Sequence, residues 1–224
     1  MPTKYIIATV RQWNINNYKK FCHGQSYYLI DNKNDLVYSK IKKINPRYIF
    51  FPHWSWLIPK EIWSNYPCVV FHMTALPYGR GGSPLQNLIL RGQQKTKISA
   101  IKADYGLDSG GIYCQEDLNL SGRAAEIYQR VSEIIFKKMI PNIIKNNPKP
   151  KKQTGRVIKF SRRTPQQSRI NTHFSLAQLN DFIRMLDAPG YPKAFMETQK
   201  LRWEFSSAKF KNNRLIFKVE AYEK

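Results

Sequence analysis

Apolar and β-branched residues recur in short continuous runs at Tyr5 to Val10, Ser26 to Ile30, Tyr48 to Phe51, Cys68 to His72 and Ile98 to Lys102. Continuous rather than alternating apolar positions are what strands carry when both sheet faces are covered. The segments between them, Asn14 to Phe21, Asp35 to Ile44, Lys60 to Asn65 and Ser83 to Leu90, have helical length and composition. Alternating strand and helix predicts an α/β protein with a Rossmann-like, mainly parallel sheet and crossover helices. Its first turn has no Gly-x-Gly-x-x-Gly, which argues against a dinucleotide site there. Glu116 to Asn119 is expected as a short outer strand. Gly122 to Ile144 is expected as a long amphipathic helix burying Ala125, Ile127, Tyr128, Val131, Ile134, Ile135 and Met139, with Pro141 kinking or ending it.

The texture then changes. Residues 1–145 are expected as the main domain, 146–155 as a solvated basic linker, and 156–224 as a small C-terminal α+β appendage. In the appendage, Arg156 to Phe160 reads as a strand and Ser175 to Leu186 as a helix, and Trp203 to Lys209 pairs with Arg214 to Tyr222 across Lys211-Asn212-Asn213. This hairpin is expected either to extend the sheet or to make a homodimer contact.

Charge adds a constraint on partners. The formal net charge is +22, and Lys137 to Arg163 holds ten Lys or Arg residues with no Asp or Glu. Such a surface favours an anionic partner: RNA, a nucleotide-sugar pyrophosphate or a polyglutamylated cofactor. Cys22, Cys68 and Cys114 are widely spaced with no Cys-x-x-Cys, so no metal site is expected. No apolar run approaches the roughly 20 residues that span a bilayer, and the N-terminus lacks a signal-peptide pattern; no membrane partner and a cytoplasmic location are the expectation.

The candidate chemistry gathers at strand ends. His53 and His72 follow two of the apolar runs, where open α/β sheets collect ligands, whereas His23 and His173 lie outside that pattern and read as structural. After His72 comes a loop with Pro77 and Pro84 at its ends and Gly79, Gly81 and Gly82 between them. A second loop, Asp104-Tyr105-Gly106-Leu107-Asp108-Ser109-Gly110-Gly111, supplies carboxylates that could reach the histidine. Asp104 is of the type that stabilises turns; Asp108, followed by small residues that let a substrate approach, is the candidate catalytic carboxylate.

Residues His72 to Pro84, followed by Leu107-Asp108-Ser109-Gly110-Gly111, resemble the core of the formyltransferases that use 10-formyltetrahydrofolate. Their pattern is Asn-x-His, then Leu-Pro-x-x-Arg-Gly-x-x-Pro, then Leu-Asp-x-Gly; here the resemblance covers about Tyr48 to Ile140. It implies an N-formyltransferase with His72 and Asp108 catalytic and His53, Trp54, Ser55, Trp56, Leu57, Asp104, Tyr105 and Gly106 holding the folate. It further implies that Pro77, Tyr78, Arg80, Gly81, Gly82 and Ser83 line the acceptor side. Where the family has asparagine, two residues before the histidine, this chain has Val70, which cannot donate a hydrogen bond. His53 is the candidate replacement, so it is expected in a catalytic role too.

Phe160 to Ser168 and Phe182 to Phe195 are similar to segments of sugar N-formyltransferases, the pseudaminic-acid-pathway type among them. That similarity implies a nucleotide-linked amino sugar as acceptor, in surface-glycan biosynthesis, with Arg162, Arg163 and Arg184 as guanidinium partners for a pyrophosphate and Tyr191 or Trp203 as stacking surfaces. The alternatives are an enzyme of the methionyl-tRNA formyltransferase kind acting on charged tRNA, or a catalytically impaired nucleic-acid-binding relative.

Overall fold

A computed structural model describes residues 2–24 and 26–224. In chain order the elements are β1 (Tyr5–Ala8), α1 (Gln12–Phe21), β2 (Tyr27–Ile30), α2 (Tyr38–Ile44), β3 (Tyr48–Pro52), α3 (Lys60–Trp63), β4 (Cys68–His72), β5 (Tyr78–Gly81), α4 (Pro84–Leu90), β6 (Lys95–Lys102) and β7 (Ile112–Asn119). They continue with α5 (Ala124–Ile134), α6 (Ile140–Asn146), β8 (Ile158–Phe160), α7 (Leu176–Arg184), β9 (Ala194–Glu197), β10 (Leu201–Lys211) and β11 (Arg214–Glu223). The chain divides into two compact units that alternate along the sequence. One comprises the chain up to Gly81, Thr96–Leu118 and Gln129–Lys159; the other comprises Gly82–Lys95, Asn119–Tyr128 and Phe160–Lys224.

The first unit is built on a sheet of order β2-β1-β3-β4-β6-β7. The pairs β1–β2, β1–β3 and β3–β4 are parallel, as the continuous apolar runs imply. Every residue of β1 and β3 is buried, and Ile6, Ile30, Ile41, Ile49, Phe51 and Ile62 form one core cluster between strands and helices. Full burial of each such side chain is worth about 1.5–3 kcal/mol relative to exposure. β6 breaks the pattern by running antiparallel to β4, with Val69 opposite Lys102 and His72 opposite Ser99. Its C-terminal end therefore lies beside the start of β4, and the loop that follows must double back to reach the end of β4.

Pro141 neither ends nor breaks the long helix. Residues Ile135–Met139 form a π-helical turn, and the helix continues as α6 to Asn146. The wider turn accommodates a residue that has no N–H to donate. Residues 146–155 do not run free of the first unit: Lys151 N–H and the Lys151 carbonyl bond to Ile112 at 2.9 and 2.7 Å, and Gln153 makes four further contacts described below.

The second unit carries an antiparallel sheet of order β11-β10-β9. A bulge between Ser206 and Lys209 bends β10, and the Ser207 N–H, with φ of 56°, donates to Asp187 Oδ2 at 2.8 Å. Helix α7 starts on a capping box, in which Ser175 Oγ accepts from Gln178 N–H at 3.3 Å and Gln178 Oε1 accepts from Ser175 N–H at 2.9 Å. It buries Phe182 and Ile183.

Candidate active site

His72 closes β4, and only 7% of its surface is exposed. One ring nitrogen, Nε2, lies 2.8 Å from the Gly79 carbonyl, which can only accept, so Nε2 carries a proton. The other, Nδ1, faces Asp108 Oδ2 at 3.5 Å. A second proton on the pair therefore belongs between Nδ1 and the carboxylate. The arrangement is a largely buried acid–base pair, with His72 from the end of β4 and Asp108 from the loop after β6.

Asp108 is held tightly for a loop residue. Its Oδ2 accepts from the Gly81 N–H at 2.9 Å, and its backbone has φ of 49°, a left-handed conformation costly for a residue with a Cβ. Gly110 allows the loop to double back: a Cβ there would lie 1.8 Å from the Lys102 carbonyl oxygen. Asp104 accepts at Oδ1 from the Gly106 N–H at 3.1 Å and from Ser109 Oγ at 3.0 Å, the turn-stabilising geometry of a loop aspartate.

Gln153, which the sequence reading did not single out, meets these loops. Its Nε2 donates to the carbonyls of Asp108 and Gly110, both at 2.8 Å, and its Oε1 accepts from Arg80 Nε at 3.0 Å and Nη2 at 2.7 Å. The only signal in the sequence is a lone amide after Lys149-Pro150-Lys151-Lys152.

His53 stands at the end of β3, one residue beyond Pro52, which pairs with Phe71. That register puts it alongside His72 on the neighbouring strand. It has φ of 55° and lies edge-on to Trp13 with ring centroids 5.5 Å apart. Burial first, then the Arg11 guanidinium, hold its pKa down to about 3, so the ring is neutral at physiological pH. The ring keeps some solvent-accessible surface, which screens part of that effect. Val70 packs instead onto the core cluster, as Trp54 and Ala103 also do.

The remaining predicted residues fall into distinct settings. Trp54 has a buried Nε1 with no hydrogen-bond partner among the described residues, and Trp56 lies 5.1 Å from it in an edge-on contact. Ser55 and Trp56 are exposed; Leu57 is 89% and Tyr105 94% exposed. Pro77 is buried, and Tyr78 and Arg80 lie in β5, a short strand inside what reads from sequence as an irregular loop.

In the second unit, Gly82 lies against the Arg162 backbone, where a Cβ would come within 2.5 Å of Arg162 Cβ, and Ser83 Oγ accepts from the Arg163 N–H at 3.0 Å. Only Arg162 presents an exposed guanidinium-bearing side chain of the three arginines expected to serve a pyrophosphate. Arg163 donates to the Gln167 carbonyl and sits 5.7 Å over the Phe182 ring. Arg184 is buried, with donors on Asp181 Oδ1 and on the carbonyls of Leu120 and Gly122 at 2.6–2.9 Å. Arg184 is thus a structural cross-link rather than an anion ligand. Tyr191 stacks on Tyr128, centroids 5.1 Å apart.

Burial raises the Cys22 and Cys68 thiols to about 12, leaving them protonated and unsuited to nucleophilic work. Among the described residues, no three His, Cys, Asp or Glu side chains form a group that could hold a metal ion. No helix there is long and apolar enough to cross a membrane.

The family profile described as "Formyl transferase" matches residues 16–143, which takes in His53, His72 and Asp108. The chain belongs to the formyl transferase family. Its members take their formyl group from a formyl-tetrahydrofolate. A second profile, "Methionyl-tRNA formyltransferase, C-terminal domain", matches residues 165–222 of the chain. A methionyl-tRNA formyltransferase from Rickettsia prowazekii is 31% identical over 160 residues, which are 68% of this chain and 52% of that protein. The chain thus spans about half the length of the curated relatives it matches. A solved structure named as methionyl-tRNA formyltransferase from Clostridium thermocellum is 53% identical, covers 100% of both chains and has a TM-score of 0.97. A sugar N-formyltransferase from Shewanella shares the fold, with 14% identity, 88% and 93% coverage and a TM-score of 0.67.

Proposed function

We propose that this formyl transferase moves the formyl group of 10-formyltetrahydrofolate to a primary amine, with His72 and Asp108 handling the amine's proton. The observation that carries this reading is the buried His72–Asp108 contact, made by the two residues that match the family's motifs. The folate fits the loops after β3 and β6, because Trp56, Leu57, Tyr105 and Leu107 are all exposed and suit a flat heteroaromatic ring. When bound, it supplies the formyl carbon. The chain's own residues supply the rest. An incoming amine reaches Nε2 of His72 by displacing the Gly79 carbonyl, from a loop whose Gly79 and Gly81 have φ of 78° and 112°. With the Gly79 carbonyl displaced, the ring's proton moves to Nδ1 against Asp108, which leaves Nε2 free to take the amine proton while Asp108 stabilises the imidazolium. Nε2 then returns that proton to the folate nitrogen as its bond to the formyl carbon breaks and tetrahydrofolate leaves. Charge developing on the formyl oxygen needs a donor that Val70 lacks, and neutral His53 takes that part.

Replacing His53 by alanine should lower kcat about 100-fold, the usual cost of one lost oxyanion donor. The same variant should show weaker acid sensitivity of folding. The folded-state pKa of His53 is depressed below its ordinary value of 6.5, so its contribution is full above about pH 6.5 and falls away as pH drops toward 3. Urea unfolding of both proteins across that window, alongside turnover, checks both effects; normal turnover removes His53 from the chemistry.

For the acceptor, we infer the amino group of methionyl-tRNA. The whole-chain similarity to the Clostridium thermocellum protein of that name supports this, and a net charge of +22 suits a polyanion. The amino-sugar reading has a narrower physical basis, since only Arg162 of its expected arginines is free of internal bonding. A homodimer through β11 is a further proposal. β11 is a sheet edge with exposed Ile216, Val219 and Tyr222, and antiparallel pairing with a second copy centred on Val219 sets Lys218 opposite Glu220 twice. Sedimentation of wild type against Val219→Lys decides it: a monomer in both rejects the dimer.

Competition between methionyl initiator tRNA and a panel of nucleotide-linked amino sugars tests the acceptor. Formyl transfer to tRNA that weakens steeply with added salt is the expected result. Transfer to a sugar alone replaces tRNA as the acceptor and leaves the formyl-transfer reading in place.

A further inference from the structure

The segment after α6 holds a residue with no evident structural need to be there. Gln153 is half-buried, belongs to neither catalytic loop, and yet bonds both. Its amide has only one workable orientation. Arg80 has donors alone, so it must meet Oε1, while the carbonyls of Asp108 and Gly110 accept alone, so they must meet Nε2. All four contacts, at 2.7–3.0 Å, are satisfied together.

The placement matters because the Gly81 bond holds the Asp108 carboxylate but not its backbone. Its φ of 49° is unfavourable for a non-glycine residue, so the loop persists in that form only if surrounding bonds hold it. Gln153 grips the chain at Asp108 itself and at Gly110, on either side of Ser109. Through Arg80 it also grips β5, whose Gly81 N–H bonds the Asp108 carboxylate. One side chain therefore fixes the carboxylate's backbone and the strand that orients its oxygen.

We propose that Gln153 is a positioning residue that sets the Asp108 carboxylate against His72. It touches neither the acceptor nor the folate. The proposal rests on the His72–Asp108 reading of the active site. A small displacement of a positioned group is enough to cost about 100-fold in rate, because proton transfer requires close and aligned partners. The loss should appear in kcat, with KM for the folate changed less than about threefold. The His72 ring resonance should shift as well, since its surroundings change when the carboxylate moves.

Gln153→Ala and Gln153→Glu together test it. Glutamate keeps an acceptor for Arg80 but removes the donors to Asp108 and Gly110, so it should fail as alanine does. Thermal melts establish that each variant is folded, and NMR of labelled histidine follows the His72 ring without reference to activity. The expected result is a 10- to 100-fold fall in kcat for both variants and a shifted His72 resonance. An unchanged His72 resonance in folded Gln153→Ala overturns the proposal, as does full activity in Gln153→Glu, which would leave Arg80 as the only partner that matters. Near-normal turnover in His72→Ala rejects the catalytic reading itself, and the NMR comparison still decides whether Gln153 positions the pair.

Discussion

His72→Ala should lower turnover by a factor on the order of 10²–10⁴, the range that a positioned acid–base group contributes. The ring connects the Gly79 carbonyl with the Asp108 carboxylate, so removal deletes the proton's path and leaves the carbonyl with only a long contact from Thr74 Oγ1 at 3.5 Å and the carboxylate with only the Gly81 N–H. The weakened pairing costs about 1–3 kcal/mol of stability, so the variant should still fold, with a lowered midpoint. Rates compared at equal folded fraction separate the two effects. Asp108→Asn offers the complementary test. It keeps an oxygen for the Gly81 N–H but removes the charge that stabilises the imidazolium, so its loss should resemble that of His72→Ala. A rate within a few-fold of wild type in either variant would mean that the proton goes elsewhere.

Gly110→Ala should be nearly as damaging, although residue 110 touches no reacting atom. An added Cβ would sit 1.8 Å from the Lys102 carbonyl oxygen and 2.9 Å from its carbon, and that backbone is the end of a core strand. Neither atom belongs to a flexible side chain that could move aside. The 104–111 loop must therefore lift, carrying Asp108 from His72 and breaking the Gln153 bond to the Gly110 carbonyl. A destabilisation of about 3 kcal/mol is expected, at the upper end for overpacking. It should be accompanied by a fall in kcat that persists below the melting transition. Denaturant titration and low-temperature kinetics measure the two; wild-type stability would show that the loop has room to spare.

The sequence made the candidate residues more visible than the contacts that support them. His72 and Asp108 are legible because each follows an apolar run and precedes glycines, and the family pattern ties them together. The parallel core is legible for the same physical reason: β1 and β3 are buried on both faces, so their runs are continuous. The reversal of β6 is not, because an apolar run has no direction, and only the register reveals that the Asp108 loop must fold back. β5 was hidden by Gly79 and Gly81, which read as loop whether or not their backbone pairs. Gln153 was hidden by neighbours whose charge suggests a solvated linker. The arginines show the opposite failure. Composition suggests a phosphate clamp, but Arg184 spends its donors on carbonyls of its own unit, a use that no local pattern announces.

Val70 stays the point where this chain departs from its family, and packing explains why valine is tolerated there. It completes the apolar cluster around Phe51 and Cys68, while polar His53 stands alongside His72 on the adjacent strand.

The most direct measurement follows a labelled formyl group from 10-formyltetrahydrofolate in a single turnover with wild-type protein and methionyl-tRNA. The account predicts label in an amide on the acceptor and one tetrahydrofolate released per formyl moved, with both signals lost in His72→Ala. Label appearing only as free formate, or no tetrahydrofolate released with tRNA or any amine in the panel, would contradict it.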